Sequence, residues 1–496
     1  MYEIAQEIEI RIRNTNPWWQ NIQMLPLPPL KRWAFDIALK RLKAGMTPAV
    51  ALRGPRQVGK TTLTQQIIQY LLDEGVPPHQ ILRVQFEDLP TFSAQQEVIL
   101  DIAYWFEHYV LGKNFHLKAH EGQSIYIFLD ELQNVPYWSS QLKYLVDNNP
   151  VRVMITGSSA LQIEIGQDSL AGRLSTIEMG PLFLREIAAL RDFGEIPALL
   201  PVNGLSRLKA QSFWQELREF GLQHQALRHA AFAAFSERGA YPIAHLYADV
   251  PWEEMAVQLN ETIIRRVIQH DLRISVGEKG LQRDEKLLVE VFRFSCRYMG
   301  QTPKQKFYLE EIKRAMGTHI DWQRILTYLH FLESSLLLSL IKPLEIRLKR
   351  LKRPLGLDKL CICDHALRAS WLQEVIPLTE TELSTNPHLS VLAGHIAESI
   401  VGYFMSSLLF VGVTHFPERA KEPEVDFILT VGDQRIPIEV KYRKKIEAAD
   451  LRGLIHFIER PVYDTPFGLL ITQTESVTIH DPRIVQMPLS TFLLMR

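Results

Sequence analysis

Four short apolar runs in the N-terminal third constrain the fold more than any other feature: PAVAL (48–52), ILRVQF (81–86), SIYIFLD (124–130) and VRVMITG (151–157). They read as mainly continuous apolar runs rather than strict apolar–polar alternation, and amphipathic stretches such as TTLTQQIIQYLLDEG and YWSSQLKYLVDN lie between them. Strands that are apolar on both faces need cover on both, and strands separated by helices run parallel. The segment from about Arg32 to Met179 is therefore predicted to be an α/β core on a parallel sheet.

The stretch after the first run, GPRQVGKTTL (54–63), meets the pattern GxxxxGK[ST] with Gly54, Gly59, Lys60 and Thr61. Phosphates bind where several backbone N–H groups converge, and glycine lets the backbone come that close. A helix beginning near Lys60 turns its positive end toward the anion. On this reading Gln57, Val58 and Thr62 belong to the same cradle, Lys60 reaches the β and γ phosphates, and the Thr61 hydroxyl holds Mg²⁺. The alternative is a chance match in a glycine-containing turn, against which the flanking strand and helix argue.

Two further strand ends fit this site. IYIFLDE finishes with Asp130 and Glu131, where a P-loop ATPase carries an acid for the Mg²⁺ shell and a carboxylate that orients and deprotonates the attacking water. A solvated turn is the plainer reading. VRVMITGSS finishes with Thr156 and Ser158, which either sense the γ phosphate or cap the following SSALQIEI.

Composition narrows the partners. Lys plus Arg is 55 against 56 for Asp plus Glu, so no whole-molecule field draws the chain to nucleic acid or membrane, and such a partner needs a local patch. Cys296, Cys361 and Cys363 are too few for a disulfide framework and lack the neighbours of a metal site, so buried thiols in a reducing compartment are expected. The N-terminus lacks a signal-peptide core, and the apolar run from Ile400, IVGYFMSSLLFVGV, is too short to span a bilayer. A cytoplasmic protein with no membrane partner is expected.

Beyond the core, the pattern divides the chain into 1–181, a helical lid over 182–275, a region over 276–353, and a last α/β segment over 354–496. In the third segment KLLVEVFRFSCRYMG, YLEEIKRAMG and THIDWQRILTYLHFLESS read as three helices before the strand-like LLLSLIKPLEIRLKRL, the order of a winged helix. Thr318 or Asp321 caps the third helix. The wing carries Arg347, Lys349, Arg350, Lys352 and Arg353, which track a DNA backbone, dock a protein, or form a solvated face.

In the last segment, strands are read at GVTHF (412–416), EVDFILTV (424–431), RIPIEVKY (435–442) and FGLLIT (467–472). Glu439 and Lys441 leave one face of their strand, and a turn at GDQ (432–434) brings Asp426 beside them. Glu398, in the helical GHIAESIVGYFMSSL, adds a third carboxylate. Asp426 and Glu439 can bind divalent metal and activate water against a phosphodiester, or the set is a structural group of salt bridges.

LRGPRQVGKTTL, FLDELQNVPYW, ITGSSA, LAGR with Arg173, GPLFLREI, RGAYP, RRVIQHDL and EVDF…IEVK together resemble AAA-type ATPases. More narrowly they resemble a bacterial and archaeal family that joins such an ATPase to an uncharacterised C-terminal domain. The chain departs from the usual Gly-Gly-Tyr/Phe-Pro by having Ala240 after Gly239. The resemblance makes Arg173 either a phosphate contact or an anchor for the loop after the sensor strand, and it makes the region over 276–353 a winged helix. Glu398, Asp426 and the Glu439-x-Lys441 pair resemble the PD-(D/E)xK nucleases, which implies a restriction-endonuclease-like domain cutting DNA with Mg²⁺ or Mn²⁺.

The expected function is ATP binding and hydrolysis, with Lys60 and Glu131 as catalytic groups, controlling a nuclease-like domain that acts on DNA. A nucleotide-gated module that binds DNA or protein without cleavage is the second reading, and a small-molecule kinase the third. A homo-oligomer is a further possibility.

Overall fold

The computed structural model describes residues 4–87, 89, 97–157, 170–200, 204–272, 284–318, 320–344, 357–418, 422–476, 479 and 481–496. The chain divides into two compact units, Met1–Gly180 and Pro181–Arg496.

In the first unit, helix α1 (Gln6–Thr15) and α2 (Ala34–Ala44) precede strand β1 (Ala49–Arg53). There follow α3 (Lys60–Asp73), β2 (Ile81–Gln85), α4 (Val98–Phe106), α5 (Phe115–His120), β3 (Ile125–Asp130), α6 (Trp138–Asn148), β4 (Val151–Gly157) and β5 (Leu174–Glu178). The strands lie in the order β2-β3-β4-β1-β5, and every pairing is parallel. β1 to β4 match the four apolar runs, and β3 is buried along its whole length.

The edge strand β2 is sealed from outside. The Asn16 side chain accepts from the Arg83 N–H at 2.7 Å and donates to the Arg83 carbonyl at 2.7 Å, while the indoles of Trp18 and Trp19 both donate to the Ile81 carbonyl. A side-chain amide thus stands in for the next strand, which removes a template for edge pairing.

The second unit opens with helices α7 (Leu184–Leu190), α8 (Gln211–Gln223), α9 (Gln225–Arg238), α10 (Pro242–Leu246) and α11 (Trp252–Leu259). Then come α12 (Glu285–Arg297), α13 (Gln305–Met316) and α14 (Trp322–Ser334), followed by β6 (Leu338–Ile341) and β7 (Lys359–Ile362). Asp321, not Thr318, caps α14, accepting from the Arg324 N–H at 2.8 Å. β6 pairs antiparallel with β7, so this hairpin crosses residue 353. The bounds expected at 275 and 353 do not separate compact units. The indole of Trp214 on α8 stacks on Phe492 near the C-terminus, and Phe492 packs against Phe404. The basic wing over 347–353 lies outside the described residues, as does Ser158.

The chain continues through α15 (His365–Leu372), α16 (Glu380–Thr385), α17 (Ser390–Ser406), β8 (Gly412–Phe416), β9 (Val425–Val431), β10 (Gln434–Lys441), α18 (Arg452–Glu459), β11 (Gly468–Thr472), β12 (Ile484–Pro488) and α19 (Leu489–Phe492). β8, β9 and β10 form an antiparallel meander, β11 and β12 add in parallel, and the order is β12-β11-β10-β9-β8. The β9–β10 turn takes Gly432 at φ 63°, which glycine reaches without a Cβ penalty. The segment Pro387–Ser406 is by length and composition long and apolar enough to cross a membrane, because its apolar character begins upstream of Ile400; about half of it is buried within the unit. The three cysteines are buried and unpaired, and burial pushes the Cys361 thiol up to about 12.

Candidate functional site

The nucleotide loop follows β1. A Cβ on Gly54 would sit 2.1 Å from the Met179 carbonyl oxygen, so only glycine fits there. The loop then turns through left-handed backbone at Gln57 (φ 64°) and Gly59 (φ 94°) before α3 starts at Lys60. Val58 is buried and its carbonyl accepts from Arg32 at 2.5 Å, which ties the loop to the segment ahead of α2. Lys60 is buried, and its ammonium donates to the Gly54 and Pro55 carbonyls at 2.9 and 2.8 Å. Thr61 and Thr62 are half-buried in the first turn of α3.

Strand register brings the other groups to this end of the sheet. Leu52 of β1 lies beside Thr156 of β4, and Leu129 of β3 lies beside Ile155. Asp130 is 1% exposed, and one of its oxygens accepts from Thr61 at 3.3 Å and from Thr156. The Thr156 oxygen in turn accepts from the Glu131 N–H at 3.1 Å. Thr156 therefore spends its one proton on Asp130. Glu131 has φ 54°, a rare backbone for a side chain of its size, and its carboxylate accepts from Gln133 at 2.5 Å. The oxygen donors of Thr61 and Asp130 fit a Mg²⁺ shell, whose ligands are hydroxyl and carboxylate oxygens.

Arg83 of β2 completes the arrangement and has no counterpart in the sequence motifs. Its guanidinium lies 3.2 Å from the second oxygen of Asp130 and 2.8 Å from Gln85, with both members of the ion pair buried.

Arg173, which the resemblance makes either a phosphate contact or a loop anchor, lies just before β5. Its carbonyl accepts from the Ala49 N–H, at the start of β1, and its guanidinium pairs at 2.5 Å with Asp147. The phosphate loop leaves the other end of β1. Five residues of strand put roughly 16 Å between the two ends. These contacts are those of the second reading, an anchor for the loop before β5.

In the second unit the predicted carboxylates converge. Asp426 on β9 accepts from the Val440 N–H of β10 at 2.9 Å, Lys441 pairs with Glu439, and the Lys441 ammonium stands 3.9 Å from Asp426. Glu398 on α17 joins them through a residue that the sequence reading passed over: the Lys359 ammonium of β7 lies 3.2 Å from Glu398 and 3.2 Å from Asp426. One oxygen of Glu439 is buried with no hydrogen-bond partner.

Electrostatics follow from burial and these pairings. Burial first, then the Asp426 charge, pushes the Glu398 carboxyl up to about 8, and the same two causes do so for Glu439. Burial also opposes the charge on Asp426, but Lys359 and Lys441 overcome it and hold that carboxyl below its ordinary value. Burial disfavours the charged Lys359, and Asp426 and Glu398 more than restore it, raising its pKa.

The orphaned Glu439 oxygen suits a cation, yet the expected metal set is not available as built. Among the described residues no three His, Cys, Asp or Glu side chains are grouped to hold a metal ion. An ammonium already fills the space between Glu398 and Asp426, so the residues do not fit a divalent cation in this arrangement.

A parallel sheet with a phosphate loop after one strand and a buried acid after another defines a P-loop nucleotide-binding domain. Residues 46–188 match the AAA domain family, in agreement with the P-loop arrangement of the first unit; residues 393–492 match a domain of unknown function, DUF4143. An uncharacterized protein of Methanocaldococcus jannaschii is 29% identical over 160 residues, 32% of this chain and 32% of its own. An uncharacterized protein of Mycobacterium tuberculosis is 30% identical over 157 residues, 31% of this chain and 30% of its own. The chain thus matches about a third of the length of these relatives. Among solved structures, the Walker-type ATPase of Pyrococcus abyssi aligns with TM-score 0.42 and 14% identity over 71% of this chain and 99% of that one. The Cdc6p of Pyrobaculum aerophilum aligns with TM-score 0.27 and 12% identity over 72% and 97%.

Proposed function

We propose that this protein is a cytoplasmic ATP-hydrolysing switch whose nucleotide state controls a nuclease-like C-terminal unit acting on DNA. The observation that carries the first half is Asp130: a buried acid that shares one oxygen with the Thr61 hydroxyl beside a glycine-bounded phosphate loop. Bound Mg²⁺ supplies charge neutralisation on the phosphates, and Thr61 and Asp130 would hold it. Lys60 exchanges its loop carbonyls for phosphate oxygens, and Glu131 orients and deprotonates the attacking water.

Support for the second half is the order α17, β8, β9, β10, α18, β11 with Glu398, Asp426, Glu439 and Lys441 drawn to one place. The three helices α12 to α14 and the hairpin β6–β7 have the order of a winged helix and are its candidate DNA contact. A binding switch without cleavage is the second reading, favoured by the Lys359 bridge, which leaves no open metal site.

Nucleotide binding and turnover in Lys60→Ala and Glu131→Gln test the first half. Lys60→Ala is expected to lose ATP binding, because the phosphates lose their cation, and Glu131→Gln to bind ATP but turn it over roughly a hundredfold more slowly or less. Undiminished hydrolysis in Glu131→Gln removes that residue from the role. Nicking of DNA with Mg²⁺ or Mn²⁺, abolished by Asp426→Ala and by Lys441→Ala, tests the second half, and equal cleavage by both variants points to a contaminant.

A further inference from the structure

A cavity of about 800 Å³ opens in the second unit, and none of its lining residues belongs to either site described above. One wall is a face of α9, where Gln225, Arg228, His229, Phe232, Ala233 and Glu237 recur at helical spacing over roughly 18 Å. A second wall is the segment from Leu378 into α16. That segment is pinned at Leu378, whose N–H donates to the Ser236 hydroxyl at 2.8 Å and whose carbonyl accepts from the Tyr442 hydroxyl. The cavity is thus formed before any ligand arrives, and its volume is in the range of small-molecule sites.

Its lining has acceptors that are already supplied and donors that are not. Glu475 pairs with Arg228, Glu380 with Lys444 at 3.0 Å and Glu237 with Arg238 at 3.0 Å, while Glu382 accepts from the Thr379 hydroxyl. Cancelling these ion pairs leaves Arg191 and Glu382 as the two lining charges without an opposite partner among them. Arg228, its side chain 1% exposed, donates to the Thr491 hydroxyl, to the His229 ring at 2.8 Å and to Glu475, yet its Nε–H has no acceptor. Arg191 keeps a buried Nη1 with no acceptor either. A donor taken out of water without a partner loses its hydration and gains nothing in return, and such groups in a native fold call for a cause. Burial draws the Arg228 guanidinium down to about 10, and burial with the Arg228 charge holds the His229 imidazole below its ordinary value, so the histidine adds no further cation.

We propose that this cavity binds a small polar molecule whose oxyanion, a carboxylate or a phosphate monoester, accepts from the Arg191 and Arg228 guanidiniums, with a hydroxyl or amine on its body donating to Glu382. An oxyanion supplies the acceptors that the lining lacks, and guanidinium N–H groups are suited to carboxylate and phosphate alike. The length of the α9 wall leaves room for a body larger than the anion itself. The proposal is independent of the ATPase and nuclease readings.

The test is calorimetric titration of the full-length Lys60→Ala chain, chosen so that the phosphate loop does not take up the probe, with inorganic phosphate and with succinate. At least one probe is expected to bind with a dissociation constant of about 1 mM or below. Phosphate binding assigns a phosphorylated ligand, succinate binding a carboxylate, and binding of both the shared oxyanion chemistry. Ala233→Trp, placed at an exposed position of the α9 wall, fills the cavity and is expected to weaken binding tenfold or more, as is Arg191→Gln by removing one guanidinium. The probe that binds also raises the melting temperature of the Lys60→Ala chain and leaves that of the added Ala233→Trp chain in place. Absence of binding by both probes up to about 10 mM overturns the proposal. Binding that neither substitution weakens lies elsewhere and overturns it too, and binding lost with Ala233→Trp alone keeps the cavity and removes Arg191 from the role. Should Ala233→Trp not fold, Arg191→Gln decides, and undiminished binding there overturns the proposal.

Discussion

Asp130 shows how one side chain is specified by three others. Thr61, Thr156 and Arg83 come from α3, β4 and β2; the two threonines share one oxygen of the carboxylate and Arg83 takes the other. Thr61 and Asp130 were legible in the sequence because phosphate and Mg²⁺ demand fixed residue types at fixed positions along the chain. Arg83 was not, because its meaning depends on β2 lying next to β3 with Gln85 beside Asp130, a fact of strand order. Lys359 escaped for the same reason. Removing one partner of a buried ion pair strands the other charge, so Arg83→Met is expected to lower stability by about 3 kcal/mol. Denaturant unfolding of the full-length variant measures this, and a loss within the spread of ordinary surface substitutions would show that the two threonines alone suffice for Asp130.

At the scale of elements, legibility followed burial. β1 to β4 are apolar because helices cover both faces, and the expected boundaries fall within a residue of those observed. β5, LSTIE, is a half-exposed edge strand with polar residues, β7 has four residues and begins with lysine, and β12 has five and ends in proline, so none carries a run long enough to register. The strap over β2 is an element effect made by Asn16: Asn16→Leu leaves the Arg83 N–H without its acceptor, an expected loss of about 2 kcal/mol, with self-association through the freed edge detected by light scattering. Helix α10 carries a pH-dependent contribution. His245 is buried against the Gly239 carbonyl at 2.8 Å, and burial pushes its imidazole down to about 4. The unfolded chain takes up a proton near 6.5 that the folded chain refuses, so His245 withdraws stability as pH falls from about 6.5 toward 4 and has no such effect above that window. His245→Gln is expected to flatten the acid side of the stability profile by comparison with wild type, and parallel profiles would place the proton elsewhere.

At the scale of the whole molecule the chain is two compact units, and control of one by the other is a statement about free energy rather than proximity. If ATP changes the affinity of the second unit for its ligand by some factor, that ligand must change ATP affinity by the same factor, typically about 5- to 150-fold. The proposed switch therefore makes a demand on the ATPase domain that can be measured there. ATP binding to the Glu131→Gln chain, chosen because it is expected to hold nucleotide without turnover, should change when duplex DNA is present, and in the same ratio as DNA binding changes when ATP is present. Lys60→Ala should lose both effects together. Unequal ratios measured at equilibrium would mean that the two titrations report different states. Two ratios of one would leave an ATPase and a C-terminal unit sharing a chain without control, because a ligand that binds both states equally shifts neither.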